Sequence, residues 1–220
     1  MIILYTGTPG SGKSYHATDL VWHLTRKKIN VIANFVINLP EKRQPYFYFM
    51  DSKIIRVDKL LDFSKEHHKI NKEGQTCIII DEAGTMFNAN SSTEKGREKW
   101  IKFFSQHRKL GFDIILIAQN DRMLDRQVRA NIEYQYIHRK LTNFGFKGFI
   151  IMLIMRRNFL CIRQWYTIKE KIGCDYFRIR KKVADSYDTF SLFNYTDRAQ
   201  KYGGLISVSE FNRKDDNDEK

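Results

Sequence analysis

The stretch Gly7-Thr8-Pro9-Gly10-Ser11-Gly12-Lys13-Ser14 constrains this chain more than any other. It follows the apolar run Ile2-Ile3-Leu4-Tyr5 and precedes Ala17, Leu20, Val21 and Leu24, spaced i, i+3, i+4, i+7. The run predicts a buried strand and the spacing predicts a helix. G-x-x-x-x-G-K-S between a strand and a helix is a phosphate-binding loop, or Walker A motif. Its glycines let backbone N–H groups turn toward phosphate oxygens, and the following helix adds its positive N-terminal end. Lys13 then supplies a charge to the β- and γ-phosphates, and Ser14 an oxygen to Mg²⁺. The nucleotide-contact set is therefore Gly7, Thr8, Pro9, Gly10, Ser11, Gly12, Lys13, Ser14 and the next residue, Tyr15.

The first half continues to alternate. "NVIANFVI" (30–37) predicts a second strand, "LPEKRQP" (39–45) a loop and "YFYFM" (46–50) a short strand. Val57, Leu60, Leu61 and Ser64 predict a helix that ends before a turn at Gly74. "TCIIIDEA" (76–83) and "FDIILIAQ" (112–119) are apolar runs without alternation, as expected of central parallel strands covered on both faces. Between them, after the polar loop "NANSSTEKG" (88–96), a helix carries Trp100, Phe103, Phe104 and His107 on one face; these aromatic residues read as core. Helices between buried strands give right-handed crossovers and a parallel sheet. The fold class is α/β: a P-loop NTPase with a central, mainly parallel sheet.

After Gln119 the texture changes. "LDRQVRANI" predicts a short helix and "EYQYIHRKL" alternates. "GFIIMLIM" (148–155) and "LCIRQWYT" (160–167) flank "RRNF" and predict a β-hairpin extension. The expected domain spans 1–190, with its β extension from about 133. The remainder, 191–220, ends in the charged tail "RKDDNDEK", whose composition predicts disorder.

Two carboxylates close the run of 76–83. Asp81 stands where a Walker B aspartate orients Mg²⁺, and Glu82 is placed to polarise a water against the γ-phosphate. An Asp-Glu pair marks hydrolysing P-loop proteins rather than small-molecule kinases. Gln119 ends the next strand, on the sheet edge where ligands bind, and serves as a γ-phosphate sensor; Asn120 is a weaker candidate. Arg122, Arg126 and Arg129 follow, and Arg126 and Arg129 share a helix face. They, or Arg108, are candidates for an arginine finger reaching a neighbouring subunit. The site expected from sequence is thus Glu82, Gln119, Arg126 and Arg129 for catalysis, and Ser14 and Asp81 for Mg²⁺.

Charge narrows the partners. Lys and Arg number 38 against 25 Asp and Glu, a net +13. Between Asn120 and Asp185 stand 15 basic and 6 acidic residues. Such a stretch is an electrostatic footprint for nucleic acid or an anionic membrane surface. The three cysteines, Cys77, Cys161 and Cys174, lack C-x-x-C spacing, and the six histidines lack metal-ligand spacing, so sequence alone suggests no zinc or redox motif. The longest late apolar run, Phe149 to Met155, is far short of the ~20 residues a membrane span needs. No signal peptide is visible, and a sparse cysteine count fits a reducing cytoplasm.

"GTPGSGKS", "IIIDEA", "FFSQHRKLGFDIILIAQN" with "LDRQVR", and "DSYDTF" together resemble the zonular occludens toxin (Zot) family, the filamentous-phage assembly ATPases, over roughly residues 1–190. The resemblance implies an additional-strand P-loop ATPase related to hexameric DNA-pumping motors. It implies ATP and Mg²⁺ as cofactors, a homo-oligomeric ring, and export or packaging of single-stranded phage DNA. It places the protein in the cytoplasm of a bacterial host, at the inner face of the membrane, with phage coat or membrane assembly proteins as partners. It assigns Lys13 and Ser14 to the P-loop, Asp81 and Glu82 to the second motif, and Gln119 to the strand end. Typical members continue into a transmembrane helix. This sequence shows no span of its own, so the expectation is a separate membrane subunit or action on DNA in the cytoplasm. The competing expectation is a nucleotide-dependent scaffold that docks coat proteins or membrane with little hydrolysis.

Overall fold

The computed structural model describes residues 1–50, 56–88, 94–145, 150, 153–154, 156–187 and 205–207. Its framework is six mutually parallel strands: β1 (Ile2–Thr6), β2 (Asn30–Ala33), β3 (Phe47–Met50), β4 (Thr76–Ile80), β5 (Phe112–Ile117) and β6 (Tyr134–Lys140). Two antiparallel strands, β7 (Phe159–Trp165) and β8 (Lys171–Phe177), extend one end of the sheet. At the other end β9 (Leu205–Ser207) pairs antiparallel with β3. The order is β8-β7-β6-β1-β5-β4-β2-β3-β9. The strand leading into the P-loop and the strand ending before Asp81 are therefore separated by one further strand, β5.

The unbroken apolar runs follow from burial on both faces. Along β1, Ile2 and Leu4 point into one core, while Ile3 and Tyr5 point into the other. The same alternation splits Ile78 and Ile80 from Cys77 and Ile79, and Ile114 and Leu116 from Ile115 and Ile117. The first core is closed by α2 (Val57–His67) and α4 (Glu94–Gln106), through Leu60, Phe63, Phe103 and Phe104. The second is closed by α1 (Lys13–Arg26), through Ala17 and Val21, and by Val183 of α6 (Lys181–Ala184). Two short helices, α3 (Ala83–Met86) and α5 (Arg126–Arg129), follow the ends of β4 and β5.

The turn between α4 and β5 explains the "HRKLGFD" signature. Gly111 has φ +83°, and a Cβ there would lie 2.8 Å from His68 Nδ1 and 2.9 Å from Gln75 Nε2. Only glycine combines that left-handed backbone with so close an approach. The Gly111 N–H donates to Arg108 O at 2.9 Å, and Phe112 N–H to His107 O at 2.9 Å, which turns the chain sharply into the strand.

The β-hairpin exists, but not where the apolar run suggests. β7 pairs with β6, from Lys140↔Phe159 to Tyr134↔Trp165, and the hairpin proper joins β7 to β8. Its turn is closed by Trp165 N–H donating to Glu170 O at 2.9 Å. Residues 141–158 form the connection between adjacent strands, pinned where Leu141 N–H donates to Asn158 O at 3.0 Å. Within it Ile150, Leu153 and Ile154 are helical and exposed, not strand residues. Their i, i+3, i+4 spacing is that of one helix face. The tail "RKDDNDEK" lies outside the described residues; β9 shows that part of the segment after residue 190 joins the sheet. No helix among the described residues is long and apolar enough to cross a membrane.

Candidate functional site

Parallel strands deliver their C-terminal ends to one edge, and at this edge the predicted site residues meet. A cleft of about 410 Å³ is lined by Pro9, Gly10, Lys13, Ser14, Asp81, Glu82, Gly84, Thr85, Ile117, Ala118, Gln119, Met123 and Tyr187. The P-loop, the β4 carboxylates and the β5 glutamine thus share one space.

The loop itself is tightly wrapped. Gly7 has φ +146°, and a Cβ there would lie 2.4 Å from the His138 carbonyl oxygen and 2.6 Å from Ser11 Oγ. The loop is seated against β6, so a side chain at Gly7 would push it off the sheet. Gly7 N–H also donates to Gln119 O at 3.3 Å, fixing the loop against the end of β5. Helix α1 opens at Lys13, and the N–H groups of its first turn lack intrahelical acceptors. Lys13 Nζ donates to Gly7 O at 2.7 Å and Thr8 O at 3.0 Å, so the ammonium curls into the loop whose phosphates it would otherwise meet. Partial burial lowers its pKa from the ordinary lysine value, and the Asp81 charge opposes that shift.

Ser14 Oγ donates to Asp81 Oδ2 at 2.9 Å. Both are hard oxygen donors of the kind Mg²⁺ takes, and two adjacent octahedral ligands with bonds of about 2.0–2.1 Å sit roughly 2.9 Å apart. The pair therefore fits the metal in both chemistry and spacing. Asp81 is held by its main chain: Asn34, just beyond β2, accepts from Asp81 N–H at 2.7 Å and donates to Asp81 O at 2.9 Å.

Glu82 adopts φ +51°, ψ +40°, the left-handed region, and is exposed in the cleft. That conformation costs a non-glycine residue roughly 1–2 kcal/mol. Thr85 secures it, with its N–H and its hydroxyl both donating to Glu82 O, at 2.9 and 2.8 Å. Strain held by surrounding hydrogen bonds at a carboxylate next to a metal-type pair points to a functional constraint.

Neither Arg126 nor Arg129 lines this cleft. Arg126 is exposed on α5, whereas Arg129 is half-buried. Arg108 is ion-paired with Glu133. Asn120 faces a neighbouring cavity, with Gln119 between the two, and its side chain accepts from Arg122 N–H at 3.0 Å.

Two site residues escaped the sequence reading: Asn34 and Tyr187. Tyr187 arrives from the far end of the domain, inside "DSYDTF", and lines the cleft with Ser14 and Asp81. Burial, and then the Asp81 charge, raise its pKa above the ordinary tyrosine value. Its placement depends on an isolated bridge to Ile37 and on Asn38 N–H donating to Ser186 O at 2.8 Å, pairings no local pattern announces.

A Walker A loop at the end of β1, an Asp-Glu pair two strands away and a polar residue at the end of the strand between them define an additional-strand P-loop NTPase architecture. Residues 1–192 match the family model described as zonular occludens toxin (Zot), and the chain belongs to that family. Among curated proteins it is similar to the Gene 1 protein of Escherichia phage If1, 24% identical over 143 residues, 62% of this chain and 40% of that protein. It is also similar to the Gene 1 protein of Enterobacteria phage I2-2, 27% identical over 143 residues, 62% of this chain and 39% of that protein. The chain thus spans about two fifths of the length of these relatives. Among solved structures, the N-terminal domain of zonular occludens toxin from Neisseria meningitidis superposes with TM-score 0.55 at 20% identity, over 85% of this chain and 98% of that one. B204, the DNA-packaging ATPase from Sulfolobus Turreted Icosahedral Virus, superposes with TM-score 0.52 at 16% identity, over 81% of this chain and 98% of that one.

Proposed function

We propose that this chain binds and hydrolyses ATP with Mg²⁺, as a homo-oligomeric, hexameric ring that drives phage or plasmid DNA during assembly, packaging or export. It would work in the cytoplasm of a bacterial host, at the inner face of the membrane, beside coat or membrane assembly proteins. The observation that carries the reading is the Ser14–Asp81 oxygen pair, 2.9 Å apart, with Glu82 held in the same cleft. The family and the fold support it. So does the structural neighbour B204, described as a genome-packaging NTPase and solved in complex with ATP-gammaS, with TM-score 0.50 at 17% identity.

In this reading Lys13 leaves the Gly7 and Thr8 carbonyls and moves onto the β- and γ-phosphates. Ser14 and Asp81 would hold Mg²⁺, which would supply charge neutralisation at the phosphates. Asn34 keeps Asp81 in position through its main chain. Glu82 accepts the proton of the attacking water as its oxygen joins the γ-phosphorus and the bond to ADP breaks. Gln119 contacts the γ-phosphate, and its carbonyl bond to Gly7 ties the end of β5 to the loop. Arg126, or failing it Arg129, reaches the neighbouring subunit's cleft to stabilise the developing charge. The basic stretch after Gln119 tracks a DNA backbone.

Steady-state ATP hydrolysis with and without single-stranded DNA, at two salt concentrations and with Lys13→Ala as blank, tests this. Stimulation by DNA that weakens with salt supports the motor. ATP binding with negligible turnover under all conditions overturns it in favour of a nucleotide-dependent scaffold.

A further inference from the structure

The face of the sheet beneath α1 holds a second convergence of reactive groups that the nucleotide cleft does not use. His16 on α1, His138 on β6 and Cys161 on β7 each offer one ligand atom, and these lie within 4.8 Å of one another. Among the described residues they are the one such group of three. His138 and Cys161 are directly opposed across the antiparallel β6–β7 pair, so both side chains leave the same face. His16 meets them from the helix, its Nδ1 2.8 Å from His138 Nε2. His138 is 1% exposed and Cys161 0%.

We infer that His16, His138 and Cys161 form a binding site for a borderline-soft divalent cation of the Zn²⁺ type, which fastens the P-loop helix to the β6–β7 extension. Two imidazoles and a thiolate are the donor set that selects such an ion over Mg²⁺. The tautomer is set by the protein. His138 Nδ1 lies 3.1 Å from the Tyr136 carbonyl oxygen, which only accepts, so Nδ1 carries the proton and Nε2 presents its lone pair toward His16. A ring N–H held by a backbone carbonyl is the usual orienting partner of a metal-ligating histidine.

Protonation states agree with this geometry. Burial lowers the pKa of His16, and lowers that of His138 to about 3, so both rings are neutral at pH 7. Burial pushes the Cys161 thiol up to about 12, so the cation displaces one proton from sulfur as the metal–sulfur bond forms. The present 2.8 Å nitrogen–nitrogen distance is a hydrogen bond in which His16 Nδ1–H donates to His138 Nε2, so binding also shifts that proton from Nδ1 to Nε2 of His16, freeing Nδ1 as a ligand while the ring stays neutral. Tetrahedral ligands with bonds of about 2.0–2.1 Å sit roughly 3.4 Å apart, so binding parts the rings by about half an ångström. Aromatic walls shield the site: Tyr5 stacks on His16 at 5.1 Å and lies against His138 at 4.8 Å, and Phe177 covers His16 at 4.9 Å. Asp19 and Asp175 act on His16 with the sign that balances a bound cation, while Lys13 acts against His138. His16 is two residues from Ser14, so occupancy would stiffen the helix that presents Lys13 and Ser14.

The test uses the full chain, stripped with chelator and titrated with Zn²⁺ and then with Co²⁺ as a spectroscopic probe. The expected result is one equivalent bound, about one proton released at pH 7, and a thiolate-to-cobalt absorption band. Cys161→Ser should abolish the band and His16→Gln should weaken affinity by at least about tenfold to a hundredfold, the loss that follows removal of even an outer-shell partner. Cys174→Ser should change nothing, because Cys174 pairs with Ile162 and projects from the opposite face. Failure of the wild type to retain a stoichiometric ion, or an unchanged band in Cys161→Ser, overturns the site. If Cys161→Ser does not fold, the half-buried His16 decides: unchanged Co²⁺ affinity in folded His16→Gln that still binds ATP overturns it equally.

Discussion

Glu82 is the residue at which local backbone energetics and chemistry conflict. A glycine would occupy φ +51° without strain. Glu82→Gly should therefore leave stability unchanged or raise it by up to about 1 kcal/mol. Glu82→Gln keeps the side-chain shape but not its basicity, and should bind Mg-ATP normally while turnover falls by about 10² or more. Chemical denaturation of the first variant and single-turnover kinetics of the second check the pair. Wild-type turnover in either would remove Glu82 from the chemistry. Asn34 makes the complementary case. Asn34→Ala deletes both hydrogen bonds to the Asp81 main chain. It should destabilise the fold by about 1–3 kcal/mol and lower turnover at saturating ATP, an effect steady-state assays would show persisting at high Mg²⁺. Unchanged turnover in a folded Asn34→Ala protein would mean that Asp81 does not depend on the clasp.

Among the elements, what the sequence revealed tracks how local each cause is. β1, β4 and β5 were readable because burial on both faces leaves an unbroken apolar run, and the P-loop because its geometry demands glycine, lysine and serine at fixed spacing. The hairpin was displaced because a short apolar run such as Phe149–Met155 has no period that excludes a helix, while β8 is too polar and exposed to stand out. Asn34 and Tyr187 joined the site through strand order and a long-range bridge, which are not written in any window of the chain. His16, His138 and Cys161 were likewise invisible until the β6–β7 register aligned them. Helix α5 supplies a prediction at this scale. Asp125 caps it, accepting from Gln127 N–H at 2.7 Å, and is ion-paired to Arg97 of α4 at 2.5 Å. Burial alone would raise its pKa, but the Gln127 N–H and Arg97 hold it below the usual carboxylate value. The folded pKa is depressed, so the stabilisation is present above the unfolded value of about 4 and is lost as pH falls below it. Asp125→Ala should cost about 1–3 kcal/mol at pH 7, cap and ion pair together. Asp125→Asn, which keeps the cap, should cost less, and denaturation at pH 7 and pH 3 should show its deficit shrinking at the lower pH. A deficit that does not shrink would place the effect in packing rather than charge.

At the scale of the whole molecule, the cleft presents Lys13, Ser14, Asp81, Glu82 and Gln119 and, among the described residues, no arginine. A transition state that spreads negative charge over the γ-phosphoryl oxygens is served by a further cation, and in the proposed ring the neighbouring subunit would supply it. In the proposed function Arg126 takes that role because it is exposed on α5, whereas Arg129 is half-buried. Arg126→Ala should therefore bind ATP with wild-type affinity and turn over at least about 10³-fold more slowly. Arg129→Ala should act mainly on stability. Mixing separates a finger in trans from one in cis. An Arg126→Ala chain keeps a complete cleft and lacks the finger; a Lys13→Ala chain keeps the finger and lacks a working cleft. Each is inactive alone. In an equal mixture that exchanges subunits, one interface in four joins an intact cleft to an intact finger, so independent sites should recover about a quarter of wild-type turnover. Recovery well below that level would mean that sites in the ring fire only when their neighbours do. No recovery at all, with mixed assemblies demonstrated by differential tagging, would place Arg126 in its own subunit's chemistry or outside it. Full activity of Arg126→Ala alone would remove it as the finger and pass the question to Arg129.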